Sequence, residues 1–71
     1  MSDIRENIAT IIQSRACVQS EIARRAGMTP AQFNSVLMKR RKLEANELFR
    51  VCAALGMTSE EVAGYGKEMQ P

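Results

Sequence analysis

The chain contains no histidine and no tryptophan, and aromatic residues make up 4% of it. Without histidine, and without a Cys-x-x-Cys pair, it offers no obvious general base, activated nucleophile or zinc-ligand set. The reading is therefore not an enzyme, with no cofactor, no metal site and no small-molecule ligand expected. The two cysteines, Cys17 and Cys52, are too few for a disulfide framework. Cys17 falls between two expected helices and Cys52 in the middle of another, so both read as small reduced residues of an interior. No apolar run approaches the ~20 residues of a membrane span. The N-terminal Met1-Ser-Asp-Ile-Arg-Glu6 has neither the basic start nor the apolar stretch of a signal peptide. The expected location is the cytoplasm.

What remains is 71 residues, 45% of them hydrophobic, enough for one small domain and no second. The formal charge of +2 hides an asymmetry. Residues 15–43 carry seven cations (Arg15, Arg24, Arg25, Lys39, Arg40, Arg41, Lys42) against Glu21, a local net of +6, and the flanks sum to −4. A basic centre between acidic ends is an electrostatic footprint for a polyanion.

Apolar spacing predicts five helices and no strand. The first runs from about Asp3 to Arg15, with Asp3 and Glu6 as a capping box and Ile4, Ile8, Ile11 and Ile12 on one face. The second covers Gln19 to Ala26. Val18 stands where a capping residue is expected, so Ser20 or Cys17 is left to serve. Gly27 ends it in the left-handed conformation. Thr29, Pro30 and Gln32 give the third helix an N-cap, a first-position proline and a capping box, and it ends near Lys39. Glu44 to Leu55 forms the fourth, stopped by Gly56. Thr58 and Glu61 cap a short fifth helix through about Ala63. Residues 1–66 form the domain, and 67–71 a short polar tail.

Within this order, Ala23 lies four residues before Gly27, and Phe33 and Val36 lie six and nine after it. That spacing fits a helix-turn-helix over 19–38, with a small residue where the helices cross and large ones where the second helix is anchored. Gln19, Ile22-Ala23, Ala26-Gly27-Met28, Phe33, Val36 and the run Ala54-Leu55-Gly56-Met57-Thr58-Ser59 carry a family resemblance. Residues 4–62 resemble the phage repressor and Cro-type helix-turn-helix domains, the λ-repressor-like fold of four to five helices. The resemblance implies a compact all-α DNA-binding domain: a small transcription regulator, most simply a repressor, gripping double-stranded operator DNA as a homodimer.

It also implies where function lies. The outward face of the third helix would read bases, through Ala31, Gln32, Asn34 and Ser35, with Pro30 and Met38 beside them. Amide side chains suit adenine, and Asn34 is the freer amide because Gln32 is engaged in capping. An exposed polar face with no partner is the rival reading of Asn34 and Ser35. Gln19 and Thr29 would touch phosphates, Gln19 alternatively bracing a side chain of the third helix. The run Lys39-Arg40-Arg41-Lys42 would grip the backbone and make binding steeply salt-dependent. Arg24 and Arg25 are weaker contacts, one of them free to pair with Glu21 or Glu47. Met57, Val62 and Tyr65 either form a dimer patch or cover the base of the core. Pro30 and Ala31 stand where related repressors carry polar readers, and no arginine lies on the third helix. Two rival functions follow, a protein-interaction module or antirepressor with weak base reading, and a non-specific nucleic-acid binder.

Overall fold

A computed structural model describes residues 3–65; the expected tail at 67–71 lies outside them. Five α-helices follow in order, and no strand occurs among the described residues: α1 Ile4–Ser14, α2 Gln19–Arg25, α3 Pro30–Leu37, α4 Ala45–Leu55 and α5 Ser59–Ala63. Four begin where local chemistry dictates. Asp3 accepts a hydrogen bond from the Arg5 N–H at 2.9 Å, Thr29 from Gln32 N–H at 3.1 Å and Thr58 from Glu61 N–H at 3.1 Å. Glu6, Gln32 and Glu61 reach back to the N–H of their cap residue, so orphan donors of the first turn are satisfied reciprocally. The α4 start is held differently, by the Glu47 carboxylate accepting from the Glu44 N–H at 3.1 Å. At α2 neither Ser20 nor Cys17 caps: Val18 is the N-cap and no side chain serves it.

Four helix ends share one device. Gly27 (φ +74°) and Gly56 (φ +69°) occupy left-handed backbone after α2 and α4, as their sequence positions predict. Ala16 (φ 54°) and Lys39 (φ 65°) do the same after α1 and α3, which composition does not announce. Each is followed by an amide that reaches back to the helix, such as Cys17 N–H to Ile12 O at 2.9 Å and Met28 N–H to Ala23 O at 2.9 Å. These wide-ring bonds satisfy carbonyls of the last turn and turn the chain sharply.

The turns fold the apolar stripes onto one core of Ile8, Ile11, Ile12, Ile22, Ala23, Ala26, Met28, Phe33, Val36, Val51, Cys52, Leu55 and Val62. The Cα radius of gyration, 11.3 Å, is that of a compact domain of this length. Ala23 is fully buried where α2 meets its neighbours, so a larger side chain there would force the helices apart, at about 1–3 kcal/mol. Phe33, fully buried, contributes about 3 kcal/mol of apolar burial and fixes the inner face of α3. The main partners of α3 are α1 and α2. Val62 is fully buried, so it belongs to the core and not to a surface patch.

Two polar side chains tie distant helix ends. Asn7, buried on α1, donates from Nδ2 to the Val62 and Ala63 carbonyls, each at 3.0 Å, and so closes the C-terminal end of α5. Arg15 donates to the Leu55 carbonyl at 3.1 Å, at the end of α4. No helix among the described residues is long and apolar enough to cross a membrane.

Candidate nucleic-acid interface

Burying Phe33 and Val36 turns the opposite face of α3 outward. Pro30, Ala31, Gln32 and Asn34 are exposed, Ser35 is half-buried, and Met38 is 57% exposed just past the helix end. Capping occupies one side of Gln32, whose Oε1 accepts from the Thr29 N–H at 3.0 Å. Thr29 itself is exposed, its hydroxyl engaged by Gln32 N–H. Gln19, the first residue of α2, donates from Nε2 to Asn34 Oδ1 at 3.3 Å. The Gln19 side chain therefore meets the third helix, the bracing alternative of the two that sequence left open. With its oxygen engaged, Asn34 presents its Nδ2 donors outward, and Gln19 keeps a free carbonyl oxygen beside them. The pair borders a shallow groove of about 520 Å³ between α1 and α3, floored by Ile12, Cys17 and Leu37 and edged by Met38.

The basic run follows α3 directly, and its four cations are not equivalent. Lys39 forms an ion pair with Glu6 of α1. Arg41 turns inward: its Nη2 lies 3.0 Å from Glu47 Oε2, and its Nη1 is buried with no hydrogen-bond partner. Glu47 is only 7% exposed. Arg5 secures the same turn by donating from Nη1 to the Arg41 carbonyl at 3.0 Å while its other guanidinium edge holds Asp3. Arg40 and Lys42 are exposed and make no ion pair among the described residues. Of the four expected phosphate contacts, Arg41 is thus placed with its charged head against the protein.

These pairings set the carboxylates. The Arg5 guanidinium holds the Asp3 carboxyl well below its ordinary 3.8. Lys39 lowers Glu6, and Arg24 and then Arg25 lower Glu21. Both of those arginines lie on Glu21, Arg25 at 3.2 Å, and neither reaches Glu47. As exposed pairs they are worth little to stability, and they temper the positive field of α2.

Of the two readings of Met57, Val62 and Tyr65, cover for the core is the one their packing matches. Val62 is internal, Met57 packs half-buried on the core, and the half-buried Tyr65 has its hydroxyl 2.9 Å from Ser14 Oγ. The large exposed apolar side chains are instead Val18, Met38 and Phe49. Phe49 was legible as an oddity, because it stands off the α4 stripe of Leu48, Val51, Cys52 and Leu55. Glu47 carried no comparable signal; only its burial sets it apart. No group of three or more Cys, Asp or Glu side chains among the described residues is placed to hold a metal ion. Compared with family models, curated proteins and solved structures, the chain has no significant match to any of them.

Proposed function

We propose that this chain is a DNA-binding transcription regulator of the λ-repressor-like helix-turn-helix type, acting as a small repressor and binding operator DNA as a homodimer. The observation that carries the reading is the juxtaposition of an outward polar face on α3 with a turn presenting two cations, Arg40 and Lys42, that pair with no carboxylate among the described residues. In this reading α3 enters the major groove. Asn34, braced by Gln19, meets base edges together with Gln32 and Ser35, and Ala31 packs against a thymine methyl. Arg40 and Lys42 grip phosphates, with Thr29 at the other rim, and Lys39 joins them when a phosphate displaces Glu6.

A second reading, a protein-interaction module with weak base reading, is favoured by Pro30 and Ala31 at the head of α3 and by the neutralisation of Lys39 and Arg41. Salt-titrated binding to a library of genomic duplexes separates the two. The regulator selects a few fragments, and its affinity falls steeply with salt. Equal affinity for every fragment would reject sequence-specific regulation, and no binding at low salt would reject DNA as the partner. Sedimentation should give twice the 7.9 kDa of one chain.

A further inference from the structure

The Arg41–Glu47 pair has a consequence for how the basic turn meets a polyanion, resting on the DNA-binding reading above. Glu47 lies in the first turn of α4 with its side chain 9% exposed. One carboxylate oxygen accepts from the Glu44 N–H and the other faces Arg41, so the group is simultaneously a helix brace and a counter-ion. The Arg41 guanidinium has one terminal nitrogen on that carboxylate and the other buried. Withdrawing it toward solvent would strand a buried carboxylate without its partner, which is strongly unfavourable. The Lys39–Glu6 pair differs in its carboxylate: Arg41 is 39% exposed and Lys39 43%, but Glu6 is 47% exposed where Glu47 is 9%. Both side chains are nearly half exposed, so a phosphate competes for the lysine with little penalty. The Arg41 carbonyl is held as well, by Arg5 from α1, so the turn is clamped on both sides at the same residue.

We propose that Glu47 is a positioning residue: it draws Arg41 inward, fixes the α3–α4 turn between α1 and α4, and leaves Arg40 and Lys42 to meet phosphates. Arg41 is then a strut of the turn rather than part of the interface. Glu47 also limits sequence-independent affinity, because it withholds one cation that would grip any duplex equally.

The test is the slope of log K against log salt for a 20-base-pair duplex of mixed sequence. Each phosphate contact contributes about 0.9 to that slope. R40A and K42A should each flatten it by about 0.9, whereas R41M should leave it unchanged. E47Q should release Arg41, steepen the slope by about 0.9 and tighten binding about eight-fold at 0.1 M salt, the counterion-release value of one contact. The double variant R41M/E47Q should return to the wild-type slope. Flattening by R41M equal to that by R40A would overturn the proposal, as would an unchanged slope in folded E47Q. Should R41M or E47Q fail to fold, R41M/E47Q, which removes both charges together, decides against wild type: an unchanged slope supports the proposal and a slope flattened by about 0.9 overturns it. If wild type binds no duplex, the DNA reading falls, but the clamp is still judged on the free protein. R41M and E47Q must then be strongly non-additive in thermal melts, and additivity would refute it.

Discussion

Replacing Ala16 with glycine should make this protein more stable, an unusual outcome for removing a side-chain atom. Ala16 follows α1 with φ 54°, where its Cβ crowds the backbone, at a cost of roughly 1–2 kcal/mol relative to glycine. Glycine brings a more flexible unfolded chain, which takes back about 0.4–1 kcal/mol. The residue is exposed, so losing its methyl forfeits little packing. The net gain is about 0.5–1 kcal/mol, or an increase of about 2–8 °C in Tm for a domain of this size. Gly27 provides the mirror experiment. A Cβ built there would lie 3.9 Å from Arg50 Nε, an ordinary contact, so G27A tests conformation and not collision. It should lose about as much as A16G gains. Lys39 is a poorer site, because glycine there also removes the pair with Glu6. Urea and thermal melts of both variants check the reasoning, with equal m-values required for comparison. A fall in stability for A16G, or a shift of the same sign in both variants, would refute it.

Three further outcomes follow from the same structure. Cys52 is buried and its thiol is pushed up by burial, so native protein should incorporate a thiol reagent at Cys17 alone, with Cys52 reacting only after denaturation; mass spectrometry of the native and unfolded protein decides this. Asp3, Glu6, Glu21 and Glu61 are held below their ordinary values of 3.8 for Asp3 and 4.5 for the glutamates. Their stabilisation is present above those values and lost as pH falls through the folded ones, so Tm should be flat near neutrality and decline below about 4.5. A Tm unchanged between pH 5 and pH 2.5 would contradict the pairing. Asn34→Ala should lower discrimination between preferred and random duplexes by about 0.5–1.5 kcal/mol, the worth of one hydrogen bond now that Gln19 holds its oxygen, while leaving the salt slope intact; a changed slope would place Asn34 on phosphate instead.

Legibility in the sequence tracked the range of the interactions involved. Thr29-Pro30-Ala31-Gln32 announces α3 because each residue acts on backbone within three positions, and all its caps form. Gly27 and Gly56 mark helix ends for the same reason. Ala16 and Lys39 adopt the same backbone without the residue type that signals it. The outward face of α3 followed from the inward positions of Phe33 and Val36. Which cations of the basic run stay free did not, because Glu6 and Glu47 reach the turn from helices on either side of it. The role of Val62 and Tyr65 stayed open for a related reason: five residues of α5 show too little periodicity to tell a core face from a surface one, and Tyr65 lies past its end.

The Asn7 amide imposes an order in time. Its two acceptors are the carbonyls of Val62 and Ala63, 55 and 56 positions further along the chain. A ribosome adding about 5–20 residues per second reaches them only about 3–11 s after Asn7 is made. Through that interval α1 carries a polar amide on the face that also holds Ile8 and Ile11, with nothing from α5 to receive it. α5 is a main packing partner of α1, so until it docks the amide bonds solvent, and a core formed without α5 forgoes both bonds. The two bonds therefore join the first helix to the last, and they can form only once residues 62 and 63 have been made and α5 has docked.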